Sequence, residues 1–346
     1  MWKYVLKRIC LALITAFIIL SLTYILMKML PFQMPIGTKE QVYAYFMEQV
    51  HQGLVIDSSK ELEGYGDLLW SFTDGLNKKH YFYQTPVLTQ YFGWIKGIVT
   101  EWNWGTSTYI RRNAGAMTII GEKLPTTISI NIFSVIFSVP LGIILGIVAA
   151  LKKNSKIDHT ISTGIMVFIS IPSYILITLL MLFLCYNTGW LPTQWVDNPD
   201  ATWQQKALGY VIPVICLSFG SICGYARFTR AELCEVMESE YLLLARTKGL
   251  TKRQAILRHA LRNAMVPIVP SILAEFLGLL GGSMILENLY GIPGIGGLFM
   301  DALNLKDYNV LLVDMAVFTT LGLLAGVLLD LSYGFIDPRI RMGAKK

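Results

Sequence analysis

Apolar residues run through this chain in six blocks, and polar residues collect between them. The blocks cover about 9–30, 126–151, 161–186, 207–227, 264–286 and 310–335. Each approaches or exceeds the ~20 residues that an α-helix needs to cross the hydrocarbon of a bilayer. The first follows Lys3, Lys7 and Arg8. It is longer than the core of a secretory signal, and no small-residue cleavage site follows it, so a retained span is expected. The third contains Pro172 within Ser170-Ile-Pro-Ser173, where a kink is expected. Gly220 and Gly224 in the fourth, and Gly278 and Gly282 in the fifth, have the small-xxx-small spacing that lets helices approach closely.

The polar intervals differ from one another. Residues 31–121 form a mixed, aromatic insert in which Lys39, Lys60, Lys78, Lys79, Lys96, Arg111 and Arg112 are balanced by Glu40, Glu48, Asp57, Glu61, Glu63, Asp67, Asp74 and Glu101. Its Trp94, Trp102 and Trp104 suit either an interfacial belt or, the favoured reading, the core of a small external subdomain. Cations instead mark the N-terminus, Lys152, Lys153 and Lys156, the stretch between the fourth and fifth blocks, and the tail with Arg339, Arg341, Lys345 and Lys346. Because Lys and Arg favour the cytoplasmic side, both termini are expected there, with the insert outside. The chain then divides into a first span (1–30), an extracytoplasmic insert (31–121) and a membrane core (122–346).

Composition agrees with an integral membrane protein. Of 346 residues, 54% are hydrophobic and 15% charged, so the net charge of +6 need not signal nucleic acid. The five cysteines, Cys10, Cys185, Cys216, Cys223 and Cys234, form no CxxC pair and read as apolar fillers. The chain has no G-x-x-x-x-G-K-[ST] stretch to cradle ATP phosphates. The histidines lie far apart and suggest no metal site. Gly291, Gly294, Gly296 and Gly297 make no G-x-G-x-x-G and read as a tight re-entrant or surface turn. Glu275, Asp314 and Asp330 lie in or near the last two blocks, where an ionisable group implies a pairing or functional role. Glu275 and Asp314 are the candidates to line a pathway.

The longest polar interval of the second half, within 228–263, has a defined shape. Ser239 is placed to cap a helix through Tyr241, Leu242 and Ala245, with Arg246 and Lys248 near its negative end. Gly249 stands where a left-handed residue ends a helix at little cost. Thr251 and Gln254 have capping-box spacing, so a second helix starts at once, carrying Ile256, Leu257, Ala260 and Leu261. An ordinary basic loop remains the alternative to a docking element.

The same stretch resembles the EAA loop of permease subunits in ABC importers, E-A-A-x-x-x-G followed by I-x-L-P. Anchored on Gly249, only Ala245, Gly249 and Leu261 match that general pattern; Leu243, Leu244, His259 and Arg262 depart from it. The oligopeptide, dipeptide and nickel permeases are much more similar. They share Glu240-Tyr241, Ala245-Arg-Thr-Lys-Gly-Leu250, His259-Ala-Leu-Arg-Asn-Ala264, Ser170-Ile-Pro-Ser173, Glu287 before Ile292-Pro-Gly-Ile-Gly296, Lys306-Asp-Tyr308 and Asp337-Pro-Arg-Ile-Arg341. This resemblance implies an all-α integral membrane fold with six transmembrane helices, the type I ABC importer permease architecture. It implies a bacterial or archaeal cytoplasmic membrane and lipid surroundings. Its implied partners are a second homologous permease, two cytoplasmic ATPase subunits, an extracytoplasmic substrate-binding protein and a peptide substrate. ATP and magnesium would be bound by the ATPases, leaving this chain without a cofactor or catalytic residues. Glu240, Tyr241, Ala245, Arg246, Lys248, Gly249, Leu250 and Leu261 would form the ATPase-coupling loop. An ion-coupled secondary transporter is the competing class, disfavoured by six spans without a clear repeat.

Overall fold

A computed structural model describes residues 2–30, 34–35, 37–62, 65, 68–279 and 281–336. The Asp337–Arg341 motif, the cations of the tail, Glu63 and Asp67 lie outside the described residues. The chain opens with α1 (Trp2–Lys28), then α2 (Lys39–His51), β1 (Val55–Ser58), β2 (Leu68–Thr73), β3 (Lys79–Gln84) and α3 (Val87–Glu101). The membrane core follows with α4 (Ala116–Leu151), α5 (Lys156–Ile169), α6 (Ser173–Asn187), α7 (Trp203–Met237) and α8 (Glu240–Thr247). It ends with α9 (Lys252–Leu279), α10 (Met284–Tyr290), α11 (Ile295–Leu305) and α12 (Tyr308–Ile336). Among the described residues, α1, α4, α7, α9 and α12 are long and apolar enough to cross a membrane; the α5–α6 pair makes six if it is one span.

The membrane part is helical, as expected, while the insert adds a three-stranded antiparallel sheet ordered β1-β3-β2. Alternation explains it: Trp70 pairs with Phe82 and Phe72 with His80 across the β2–β3 ladder. Asp74 Oδ1 accepts from the N–H groups of Leu76 and Lys78 and fixes the intervening turn. The amphipathic α2 closes over this sheet, burying Val42 and Phe46 against Val55 and Phe82. The tryptophans expected in that core lie elsewhere. Trp94 stacks on Tyr24 of α1 at 4.6 Å, and Trp104 packs against the membrane core, while Trp102 is 68% exposed. They line the seam between insert and spans because α3 lies along α1, with Ser21 Oγ 2.7 Å from Tyr91 Oη.

The third block is broken rather than kinked. Its helices meet at 98°, α5 ending at Ile169 and Pro172 capping α6 in extended conformation. Proline lacks the N–H that would continue the ladder and disfavours helix at the residue before it. The fifth block is also shorter than expected, because α9 stops at Leu279. There Asn131 of α4 donates its side-chain amide to the Leu279 carbonyl, and Gly282 turns with φ +73°. Gly282 therefore does not share a helix face with Gly278.

Close packing falls on a different pair of glycines from those expected. A Cβ on Gly220 or Gly224 would meet nothing within 4 Å. On Gly142 it would lie 2.6 Å from Tyr225 Cβ, and on Gly146 2.6 Å from both the Ala226 carbonyl oxygen and Thr229 Cβ. The face of α4 bearing Gly142 and Gly146 is thus pressed against the backbone of α7, an arrangement only glycine permits. Ser134 and Ser218 meet across the same seam at 3.1 Å. Gly146→Val is expected to destabilise the fold by the ~1–3 kcal/mol typical of overpacking. Gly220→Ala should be near neutral. Thermal unfolding of the two variants in detergent, followed by size-exclusion fluorescence, checks the contrast.

Candidate functional site

The polar stretch between α7 and α9 folds into the expected helix, turn and helix. Ser239 occupies the N-cap of α8, but its hydroxyl donates to the Val236 carbonyl at 2.5 Å and caps nothing. Here the correction is local: a carbonyl three residues back offers a nearer acceptor than the N–H groups ahead. Gly249 takes φ +95°, with open space where a side chain would be, so backbone strain alone favours glycine. The Thr251–Gln254 capping box forms, with Thr251 N–H donating to Gln254 Oε1 at 3.1 Å and Gln254 N–H to Thr251 Oγ1 at 3.3 Å.

Beneath this hairpin, Leu242, Ala255, Ile256, Ala260 and Ala264 form a core with Ala150 and Leu233, and Leu250 packs at its edge. Tyr241, Leu243 and Leu244 face outward, beside exposed Glu240, Arg246 and Lys248; Ala245 is half-buried. Leu261 lies past a widened helical turn (Ile256–Ala260), also half-buried. A recess of about 190 Å³ opens between α8 and α9, bordered by Leu242, Leu243, Arg246 and Lys252. The surface so presented is apolar with a cationic rim.

Two ion pairs that the sequence did not reveal tie this end of the bundle together, and the first of them stands where the hairpin begins. Lys153, just after α4, binds Glu238, just after α7. The pair keeps the Glu238 carboxyl below and the Lys153 ammonium above their usual ranges. Asp158 is 1% exposed and takes a forked bond from Arg230, at 2.5 Å to Nε and 2.7 Å to Nη2. It also accepts from the Asn154 N–H and the Ser162 hydroxyl.

At the opposite end, the glycine-rich run is exposed at Gly291 but buried at Gly294, Gly296 and Gly297, where it encloses a side chain of its own chain. Glu287, 4% exposed, accepts from Gly297 N–H at 2.8 Å, Ser283 N–H at 3.3 Å and Thr127 Oγ1 at 3.2 Å. Thr127 in turn accepts from Ile295 N–H. A Cβ on Gly282 would stand 2.7 Å from Glu287 Oε1, so the glycines make room for the carboxylate. Burial pushes that carboxyl above the usual range, and the donors around it pull the other way.

The two candidate pathway acids are not brought together. Asp314 is fully buried on α12, and neither oxygen has a hydrogen-bond partner among the described residues. Glu275, half-buried on α9, faces the Tyr225 hydroxyl of α7. Asp330 pairs with Arg8 of α1 at 3.0 Å. Asp307, seen only within Lys306-Asp-Tyr308, proves to be a junction. Its Oδ2 takes Ser107 Oγ at 2.6 Å and the N–H groups of Thr108, Tyr109 and Ile110, pinning the insert to the start of α12.

Residues 142–342 match the family described as the binding-protein-dependent transport system inner membrane component. The chain belongs to that family. A dipeptide transport system permease protein of Lactococcus lactis subsp. cremoris is 31% identical over 99% of this chain and all of that protein. An oligopeptide transport system permease protein of Escherichia coli K12 is 31% identical over 75% of this chain and 83% of that protein. Among solved structures, an inward-facing MetNI methionine ABC transporter chain is similar in fold. It gives a TM-score of 0.53 at 19% identity and covers 64% of this chain and 97% of that one. The permease's membrane core therefore has the type I importer permease fold.

Truncating the caged acid tests the arrangement in this permease. Glu287→Ala strands the Gly297 and Ser283 N–H groups and Thr127, at about 1–3 kcal/mol for each buried group left unpaired. Since burial raises the folded carboxyl's pKa, its stabilising effect is complete below the ordinary value of about 4.3. That effect is lost as pH rises through the raised value. Thermal midpoints measured against pH should decline more steeply for the parent than for Glu287→Gln.

Proposed function

We propose that this chain is one membrane-spanning half of an ATP-driven, binding-protein-dependent importer of dipeptides or oligopeptides. The second half of the pathway is a homologous permease. Two cytoplasmic ATPase subunits bind ATP and magnesium and dock on the α8–α9 hairpin. A substrate-binding protein delivers peptide on the face that carries the insert, and both chain termini lie in the cytoplasm. The observation that carries this reading is the hairpin's surface: Tyr241, Leu243 and Leu244 outward, with Arg246 and Lys248 beside them, on a turn fixed by Gly249. The names of the dipeptide and oligopeptide relatives support the substrate class.

The mechanism follows from the hairpin's attachments. ATP-driven closure of the ATPases pulls on α8. The Lys153–Glu238 pair and the core under α8 pass that displacement to α4 and α7, which pack too closely to slide independently. Gly249 permits the turn, Ala245 allows close approach, and Glu240, Arg246 and Lys248 supply polar contacts.

Tagged permease purified from native membranes in mild detergent should bring with it two P-loop ATPases and a second permease. Gly249→Val forces a β-branched residue into the left-handed region. It should lower ATPase recovery roughly tenfold, the equivalent of ~1.4 kcal/mol. Peptide uptake into vesicles should need ATP and persist when the ion gradient is collapsed. Recovery of a stable chain without any ATPase, or uptake driven by the gradient alone, refutes the importer and favours a secondary transporter.

A further inference from the structure

A cavity of about 470 Å³ lies where the insert meets the ends of α1 and α12, within the size range of small-ligand sites. Its wall includes Lys28, the last residue of α1, and Lys306, just before α12, and no carboxylate is among its lining residues. The insert contributes amides and phenols: Gln49 and Gln90, both more than nine-tenths buried, with Tyr45 and Tyr109. Gln90 is informative. Its Nε2 donates to the Thr85 carbonyl at 2.7 Å, while its buried Oε1 has no partner among the described residues. With the nitrogen already engaged, reversing the amide would only exchange one unmet group for another. The site thus supplies cations for an anion and an acceptor that needs a donor.

Its depth relative to the bilayer narrows the occupant. One turn before Lys28, Tyr24 stacks on Trp94, which sits with Tyr91 and Trp104 in an aromatic cluster. Such residues collect at the level of lipid headgroups. Lys28 Nζ rests 5.7 Å from the Tyr24 ring centroid, the position of a lysine reaching from a span end toward the interface. Below it, Leu22 and Leu26 on α1 are exposed, an apolar track leading away from the cavity mouth. Met27 and Leu30 line the mouth itself.

We propose that this cavity seats the headgroup of an anionic, hydroxyl-bearing phospholipid from the leaflet on the insert side. The phosphodiester lies against Lys28 and Lys306, a headgroup hydroxyl donates to Gln90 Oε1, and the acyl chains follow the exposed face of α1. A phosphoglycerol headgroup meets both requirements. Phosphocholine carries no donor and adds a cation beside the lysines. A short peptide also has a carboxylate and N–H donors, but nothing in it would use the apolar track.

The test uses the full-length protein, delipidated in mild detergent and titrated with short-chain phosphatidylglycerol. Native mass spectrometry counts bound lipid, and the difference in tryptophan fluorescence between the parent and Trp94→Phe follows Trp94. Saturable binding is expected, with phosphatidylcholine and glycerol 3-phosphate each at least roughly tenfold weaker, about 1.4 kcal/mol. Lys28→Gln should weaken phosphatidylglycerol by a similar factor and Lys28→Arg should preserve it. Lys78→Gln, on an exposed turn of the insert, should change nothing. Lys306→Gln provides a second variant if Lys28→Gln does not elute as folded protein. Equal binding of phosphatidylglycerol and phosphatidylcholine, or indifference to both lysine changes, overturns the proposal. Full affinity for glycerol 3-phosphate would make the ligand a soluble phosphoester, and displacement of the lipid by dialanine would make the cavity a peptide subsite. Either result also overturns it.

Discussion

The carboxylate of Glu287 joins segments that the chain separates widely. It sits on α10, takes a backbone N–H from the start of α11, another from the turn after α9, and the hydroxyl of Thr127 on α4. Withdrawing a carboxylate from water is costly, and the cost is offset only where donors converge on it. Glycine at positions 282, 294 and 296 is what allows the backbone to come near enough. The break between α9 and α10 goes with the same arrangement, because helix through 281–283 would carry the Ser283 N–H away from the acid. α11 then packs on α4 and α12 through Ile295, Leu298 and Ala302. Asp307 repeats the device after α11, and so the insert is held to α12 by an acid surrounded by N–H donors.

The opposite end is held differently. There the contacts are between side chains of opposite charge, Asp158 with Arg230 and Lys153 with Glu238. The first is buried on its acid side, so removing Arg230 would leave a charge without compensation; the second is exposed and contributes little to stability by itself. The attachment nearest the hairpin is therefore the weaker of the two.

What the sequence revealed depended on range. The Thr251–Gln254 box was legible because both partners lie within one turn, and Gly249 because its backbone conformation is a local property. Ser239 was misread over the same short distance, since two local acceptor and donor arrangements compete there. Gly142 and Gly146 carry the same spacing as Gly220 and Gly224. Only the facing helix decides which pair is used, and no local pattern records that. Pro172 announced a break without fixing its 98° angle, which belongs to the packing around it. The Glu287 cage needed Thr127, some 160 residues away in the chain. The acid itself was visible only through the resemblance. The sheet of the insert was readable in the alternation of Trp70 and Phe72, but tryptophans at the seam drew attention from it.

One helix connects the two ends. α4 is 36 residues long, or ~54 Å at 1.5 Å per residue. In its first half Thr127 holds Glu287, in its last third Gly142 and Gly146 press on α7, and just past its end Lys153 holds Glu238. Sliding along α7 would drive Gly142 and Gly146 past Tyr225 and Thr229, where no space exists for a different register. For the coupling proposed above, two motions are open to the hairpin. Either the exposed Lys153–Glu238 pair opens and α8 moves alone, or α4 and α7 tilt together and carry Thr127 with them. In the second mode the donor set around Glu287 must change or the whole cage must follow. A buried carboxylate tolerates the loss of a donor poorly, so a tilt of α4 that carries the whole cage costs less than one that breaks it. Rigid-body tilting of the α4–α7 pair is the motion that leaves both the glycine seam and the cage intact.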